Sequence, residues 1–240
     1  MTQGQYATPS YGAVAHADVD TRASFIAKTY GHLAGMIAVF VAFFGLLLAS
    51  GAAEALSLLV YGEGRGLFGH LIFLGLFAVT STMADRWARR STDVRTQYLA
   101  SAVYLGLEAL FIAPMIFIAT VMAGPGLPMQ AFLITGVLFA ALTLVVFVTR
   151  KDFSFLRSAM IFLTIAILGA AVGAAGFNFQ LPVLILWAGV VLAAMSILYS
   201  TSGVMLHYRE GQHVAASLSL FASFALLLWY VLQLLMSSRD

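Results

Sequence analysis

The sequence predicts an all-α membrane protein that crosses the bilayer as a bundle of seven transmembrane helices. Of its 240 residues, 62% are hydrophobic and 9% are charged, whereas an ordinary soluble domain has roughly 25% charged residues. One soluble core cannot hide that much apolar surface, but a bilayer accepts it as solvent. Long apolar runs, separated by short polar segments, point to the same fold class.

The apolar runs set the seven predicted spans. An apolar helix of about 20 residues crosses the hydrocarbon layer, which is roughly 30 Å thick. Strands do not fit, because the runs do not alternate in polarity and open sheet edges are not tolerated in lipid. The predicted spans cover residues 30–50, 67–84, 97–122, 129–148, 155–176, 181–200 and 213–236.

The segment before the first span is polar and rich in Gly, Ala, Ser and Thr. It lacks the basic start and apolar run of a signal peptide. We therefore predict a disordered cytoplasmic tail over residues 1–24, followed by a seven-helix transmembrane domain over residues 25–240. The GPGLP segment at 124–128 cannot continue a helix, so it predicts a short turn between spans three and four on the outer side.

The basic residues predict the orientation. Ten of the twelve lysines and arginines fall on one side of the predicted bundle, and only Arg65 and Arg239 fall on the other. Basic loops stay in the cytoplasm, so the N-terminus is predicted inside and the C-terminus outside. The residues that set this topology lie in the loops after spans two and four: Arg86, Arg89, Arg90, Arg150, Lys151 and Arg157.

Glu108 is the one charged residue predicted deep inside a span. It lies ten residues after Tyr98, which places it ~15 Å from the inner end and near the bilayer midplane. A carboxylate there costs about 2.5–3.5 kcal/mol on insertion scales. Two interpretations stay open: a proton or cation site, or a protonated side chain bonded to a neighbouring helix without a transport role. Ser223 is predicted at a similar depth and could share a hydrogen bond with Glu108.

Enzyme and cofactor chemistry finds no support in the residue patterns. There is no cysteine, no HExxH or Walker-type motif, and no second carboxylate inside a span. Span seven has no lysine for a retinal Schiff base, and His207 and His213 are too few to form a metal site. We therefore expect no enzyme activity, cofactor or metal centre, and the net charge of +2 gives no reason to expect nucleic acid binding.

Two pairs of glycines recur at a spacing of four residues. Gly31 and Gly35 lie at the start of span one, and Gly169 and Gly173 lie in span five. Small residues at this spacing let two helices approach closely. The pattern favours helix packing within this chain and leaves open a dimer interface or a close approach by a ligand.

Four segments carry a family resemblance: KTYGHLAG at 28–35, RKDFSFL at 150–156, ILYSTS at 197–202 and HVAASLSLFAS at 213–223. Together with the order of the spans, they resemble bacterial members of the Bax inhibitor-like (TMBIM) family. The resemblance implies a bundle whose seventh helix is central. It also implies a passive, pH-sensitive calcium leak, here expected in the bacterial inner membrane, with Ca²⁺ or protons as the transported partners.

The same resemblance implies an acid pair, one aspartate from the sixth helix and one from the seventh, that senses pH. The matching positions in this chain are Ser200 and Ser223. Two serines cannot share a proton as coupled carboxyl groups do. We therefore expect the acid-pair gate to be absent, with the serines free to hydrogen-bond across the same helix contact.

A second function class remains open beside the leak. Some bacterial relatives are implied to modulate a membrane-bound ATP-dependent protease. On that hypothesis the chain is a non-transporting interaction protein of the bilayer, the N-terminal tail is a candidate contact, and serines at the two acid positions present no difficulty.

Overall fold

The computed structural model describes residues 13–62, 83, 86–87, 90–91, 93–177 and 183–238. Seven α-helices account for most of these stretches, and residues 83, 86, 87 and 90 are helical as well. Two short 3₁₀ segments cover Val14–His16 and Glu210–Gln212. The helices are α1 (Val19–Ala49), α2 (Ala52–Tyr61), α3 (Val94–Ala123), α4 (Gly126–Thr149), α5 (Leu156–Phe177), α6 (Val183–Leu206) and α7 (His213–Ser237).

The helix lengths confirm an all-α, polytopic membrane protein. Five described helices, α1, α3, α4, α6 and α7, are long and apolar enough to cross a membrane. Helix α5 has 22 residues, which at ~1.5 Å per residue rise ~33 Å. Apart from Met83, which is helical, the span predicted over residues 67–84 lies outside the described residues. Helix α2 was not predicted: its ten residues rise only ~15 Å, too short to cross.

Helix α7 is the centre of the bundle, as the family resemblance implies. It packs against α1, α3, α4 and α6, and Leu218, Phe221 and Leu232 on it are fully buried. A helix that is apolar on all sides belongs in the interior. The outer helices instead leave large apolar side chains exposed, such as Val137 on α4 and Leu184 on α6, which suits contact with lipid.

The predicted disordered tail over residues 1–24 is wrong for its second half. Helix α1 begins at Val19 because Asp18 caps it, accepting a hydrogen bond of 2.8 Å from the Thr21 N–H. This bond and one from the Thr21 hydroxyl hold the pKa of Asp18 below its ordinary value. Upstream, Val14 is buried and its N–H donates to the Tyr208 carbonyl at 2.9 Å. Residues 1–12 lie outside the described part.

Several loops are joined at one end of the bundle. The α4–α5 loop is held to α6, because the Phe153 N–H donates to the Ser202 hydroxyl at 3.2 Å. Ala13 and Arg209 form an isolated antiparallel β-bridge, which ties the chain ahead of α1 to the α6–α7 loop. The start of α1 and these two loops therefore lie side by side.

Gln97 brings α3 to the same end and was not singled out from the sequence. It is fully buried, and its amide nitrogen donates to the Gly211 carbonyl at 2.8 Å while its amide oxygen accepts from the Ala215 N–H at 3.0 Å. One side chain thus fastens α3 to the start of α7. The segments joined here carry these exposed basic residues: Arg22, Arg95, Arg150, Lys151, Arg157 and Arg209.

We expect Gln97→Ala to lower the free energy of unfolding by about 1–3 kcal/mol, because it leaves two backbone groups of the α6–α7 junction without their partner. Thermal unfolding in detergent measures the change. Gln233→Ala, at a half-buried glutamine of α7, is the matched control and should cost less than about 0.5 kcal/mol. Equal losses in the two variants would contradict a specific role for Gln97.

Candidate functional site

Three serines meet between α6 and α7. The hydroxyl oxygen of Ser223 on α7 lies 2.8 Å from that of Ser196 and 2.9 Å from that of Ser200, both on α6. Ser223 also lies within hydrogen-bond distance of the carbonyl oxygens of Ser196, at 3.2 Å, and of Ser219 on its own helix, at 3.1 Å. We call Ser196, Ser200 and Ser223 the serine cluster.

The cluster brings together the two serines predicted from the sequence. Ser200 is 7% exposed and Ser223 is 2% exposed, and their hydroxyls are in direct contact. Sequence reasoning missed Ser196, although it lies one helical turn before Ser200 and therefore on the same face of α6. The cluster is neutral and its hydroxyls bond to one another, so it holds two helices together without supplying charge.

The helix contact around the cluster is close. Helices α6 and α7 make the most extensive contact between any two described helices. A Cβ atom added at Gly189 on α6 would clash with the ring of Tyr230 on α7, so a larger residue at this position would have to displace that ring. Ile197 and Val204 complete a fully buried face of α6. Ser200 and Ser223 are therefore buried within a packed interface, and Ser196 is half-buried beside them.

Glu108 lies at the middle of α3 and inside the bundle, with 4% exposure. The Tyr104 side chain, one turn earlier, hydrogen-bonds to its carboxyl group, and the Tyr104 ring packs against Phe221 of α7. Its Oε2 atom has no hydrogen-bond partner among the described residues. The suggested bond between Glu108 and Ser223 is not formed, because Ser223 is bonded to α6 and to its own helix.

The contact from Gln97 to Ala215 sets the relative depth of these groups. Glu108 follows Gln97 by eleven residues and Ser223 follows Ala215 by eight, which at ~1.5 Å per residue gives ~16 Å and ~12 Å from a shared starting level. The Oε2 atom of Glu108 and the serine cluster thus lie at depths that differ by less than about one helical turn. Glu108 is on α3, which packs against α7, and the serine cluster joins α6 to α7.

Of the predicted topology-setting residues, Arg86, Arg90, Arg150, Lys151 and Arg157 are exposed, and Arg89 lies outside the described part. One contact between loops was not predicted: His207 Nε2 lies 3.7 Å from Asp152 Oδ2.

Within the part of the chain that the structure describes, no three His, Cys, Asp or Glu side chains come together as a possible metal site.

The glycine pairs do not pack as predicted within the described chain. A Cβ atom at Gly31, Gly35, Gly169 or Gly173 would meet no atom within 4 Å among the described residues. Interpreting these pairs as helix-packing contacts is therefore wrong for the described neighbours. Among the described residues, no atom lies close to these glycines of α1 and α5.

Fold and site together define a polytopic α-helical membrane protein with a polar contact buried beside its central helix. Residues 22–240 match the family model Bax1-I, described as inhibitor of apoptosis-promoting Bax1. Because the match covers most of the chain, this protein belongs to the Bax inhibitor family, as the sequence motifs indicated.

A curated bacterial relative is similar over a shorter stretch. The uncharacterised protein PA2604 of Pseudomonas aeruginosa is 30% identical over 159 residues, which are 63% of this chain and 65% of that protein. The similarity thus spans slightly less than two thirds of the relative's length.

We expect Ser223→Ala to lower the free energy of unfolding by about 1–2 kcal/mol, because it removes the hydroxyl on which both interhelical contacts of the cluster depend. Urea or thermal unfolding in detergent measures the effect. Ser219→Ala is the matched control: Ser219 is buried on the same helix, but among the described residues its hydroxyl bonds only to the Ala216 carbonyl of α7. If both variants lose the same stability, the cluster does not hold the helices together.

Proposed function

We propose that this protein is a passive cation leak of the bacterial inner membrane, permeable to calcium, whose closed state is held by the serine cluster. The observation that supports the proposal is the direct hydroxyl contact between α6 and α7, at the two positions where the resemblance places an acid pair. Neutral serines keep the contact between α6 and α7 but lack the charge of an acid pair. The serine cluster therefore closes this contact independently of pH.

The energy of the serine cluster gives a modest bias towards the closed contact between α6 and α7. Interhelical hydrogen bonds in membrane proteins contribute about 0.6 kcal/mol on average. Breaking both contacts of Ser223 therefore costs ~1.2 kcal/mol, which changes an equilibrium by slightly less than tenfold. The serine cluster biases α6 and α7 towards contact but does not lock them, and the close packing of Gly189 against Tyr230 adds to the bias.

Glu108 supplies the acid of the proposed pathway. Charged groups inside a membrane domain usually mark ion or proton routes, and this carboxyl group has one oxygen without a partner among the described residues. It lies at a similar depth to the serine cluster and beside the central helix. We assign it the role of a transient site for a cation or proton during the leak.

The basic end of the bundle supports an orientation. Its exposed arginines and lysine favour the cytoplasmic side, and we infer from this that the start of α1 lies inside the cell and the end of α7 outside. The anionic inner leaflet attracts the same residues.

A non-transporting role is the second candidate, and one observation favours it. The serine cluster carries no charge that could attract a cation, and all three of its hydroxyls have partners. On this alternative the bundle is a permanently closed membrane module that modulates a membrane-bound ATP-dependent protease through its cytoplasmic end. Cross-linking in native membranes, followed by identification of the captured protease, tests that role.

Purified full-length protein in vesicles loaded with a calcium indicator tests the leak. We expect flux above that of empty vesicles. In Glu108→Gln, which removes the buried carboxyl group, the remaining flux should change less than about twofold between pH 5 and pH 8, because serine does not ionise in that range. Glu108→Gln should reduce the flux by about tenfold, equivalent to ~1.4 kcal/mol. Absence of flux at every pH would refute the leak, and full flux in Glu108→Gln would refute the role of Glu108.

Replacing both matched serines by Ser200→Asp and Ser223→Asp should make the flux depend on pH. Two ionised carboxylates at this contact repel one another, whereas a pair that shares a proton attracts, so we expect greater flux at pH 8 than at pH 5. Ser219→Asp, on the same helix but without a partner on α6, is the control for adding charge. An unchanged pH profile in the double variant would show that these positions do not form the gate.

A further inference from the structure

A long groove lies between α1 and α3, away from the serine cluster. Its volume is about 710 Å³, which is within the range of ~300–1,000 Å³ typical of small-molecule sites. One wall follows α1 from Lys28 to Phe43, and the other follows α3 from Tyr98 to Gly106. Apart from one end, the lining is apolar.

The groove exists because glycines replace larger side chains along its walls. Gly31 and Gly35 line it from α1, and Gly106 lines it from α3. A Cβ atom at any of the three would meet no described atom within 4 Å. The glycine spacing that suggested helix packing in the sequence therefore contributes to the groove along α1.

The length of the groove matches one leaflet of a bilayer. Lys28 and Phe43 are fifteen residues apart, a rise of ~22 Å, and half of a bilayer with its headgroups measures ~20–22 Å. Lys28 is the last charged residue of α1, and the 21 residues that follow it in the helix rise ~31 Å, the thickness of the hydrocarbon layer. Lys28 therefore lies at headgroup level.

The polar end of the groove offers a cation and hydrogen-bond donors. His32 Nε2 is hydrogen-bonded to the Tyr98 hydroxyl, which joins the two walls, and Lys28 lies one turn before His32. Ser101 lies three residues deeper than Tyr98, is 2% exposed, and has a hydroxyl with no hydrogen-bond partner among the described residues. A buried hydroxyl without a partner is costly, and a ligand in the groove that supplies an acceptor atom would remove that cost.

We propose that this groove binds one anionic phospholipid from the surrounding membrane. Its phosphate lies at Lys28, an ester oxygen accepts from the Ser101 hydroxyl, and an acyl chain lies over Gly31 and Gly35. Charge complementarity selects an anionic lipid, since the only charged side chain lining the groove within the described residues is a lysine. Basic sites between transmembrane helices bind lipid headgroups by the same interaction.

Native mass spectrometry of the full-length protein, purified in mild detergent with dioleoyl phosphatidylglycerol, tests the proposal. We expect one tightly retained phosphatidylglycerol and at least about tenfold weaker retention of phosphatidylcholine. Gly35→Leu fills the recess and should abolish retention. Gly45→Leu is the matched control, because Gly45 lies on the same helix with open space beside it but does not line the groove.

The charge is tested separately. Lys28→Gln should remove the preference for phosphatidylglycerol over phosphatidylcholine, whereas Arg22→Gln, six residues earlier on α1, should keep it. If Gly35→Leu does not fold, the smaller change Gly35→Ala replaces it in the test. Gly35→Ala should then retain phosphatidylglycerol measurably more weakly than Gly45→Ala does. Equal retention of both lipids, unchanged retention in both Gly35 variants, or a mass showing a second copy of the chain bound at Gly35 would each overturn the proposal.

Discussion

Hydrocarbon offers no hydrogen bonds, so polar groups within this bundle depend on partners from the protein itself. That constraint decides where the central helix sits. Gln97 fastens the start of α7 to α3, the Ser217 hydroxyl donates to the Thr29 carbonyl of α1 at 2.7 Å, and the serine cluster joins α7 to α6. Apolar packing then fills the space between these fixed contacts, with Phe221 against Phe40 and Phe224 against Phe139.

Two of the polar groups without a hydrogen-bond partner lie at the candidate sites. The Glu108 Oε2 atom and the Ser101 hydroxyl are both buried and have no partner among the described residues. Each faces a cost of about 1–3 kcal/mol, more for a charged group, unless something external satisfies it. An ion or proton would satisfy the first and a lipid ester the second, so one physical argument leads to two separate sites.

Much of the fold could be predicted from the sequence, because hydropathy reports directly on contact with lipid. Hydropathy and charge predict the described spans and the basic loops. The family motifs predict that Ser200 and Ser223 meet. Three features could not be predicted. The polar composition ahead of α1 hides the cap at Asp18, the partners of Gln97 are distant in sequence, and glycine spacing does not tell whether the facing surface is protein or lipid.

The β-bridge between Ala13 and Arg209 has a mechanical consequence. It joins the chain ahead of the first helix to the short connection between the two helices that carry the serine cluster. Tension applied to the chain ahead of α1 would therefore act on that connection as well as on α1. A partner that binds the chain ahead of α1 would therefore be coupled, through this bridge, to the contact between α6 and α7.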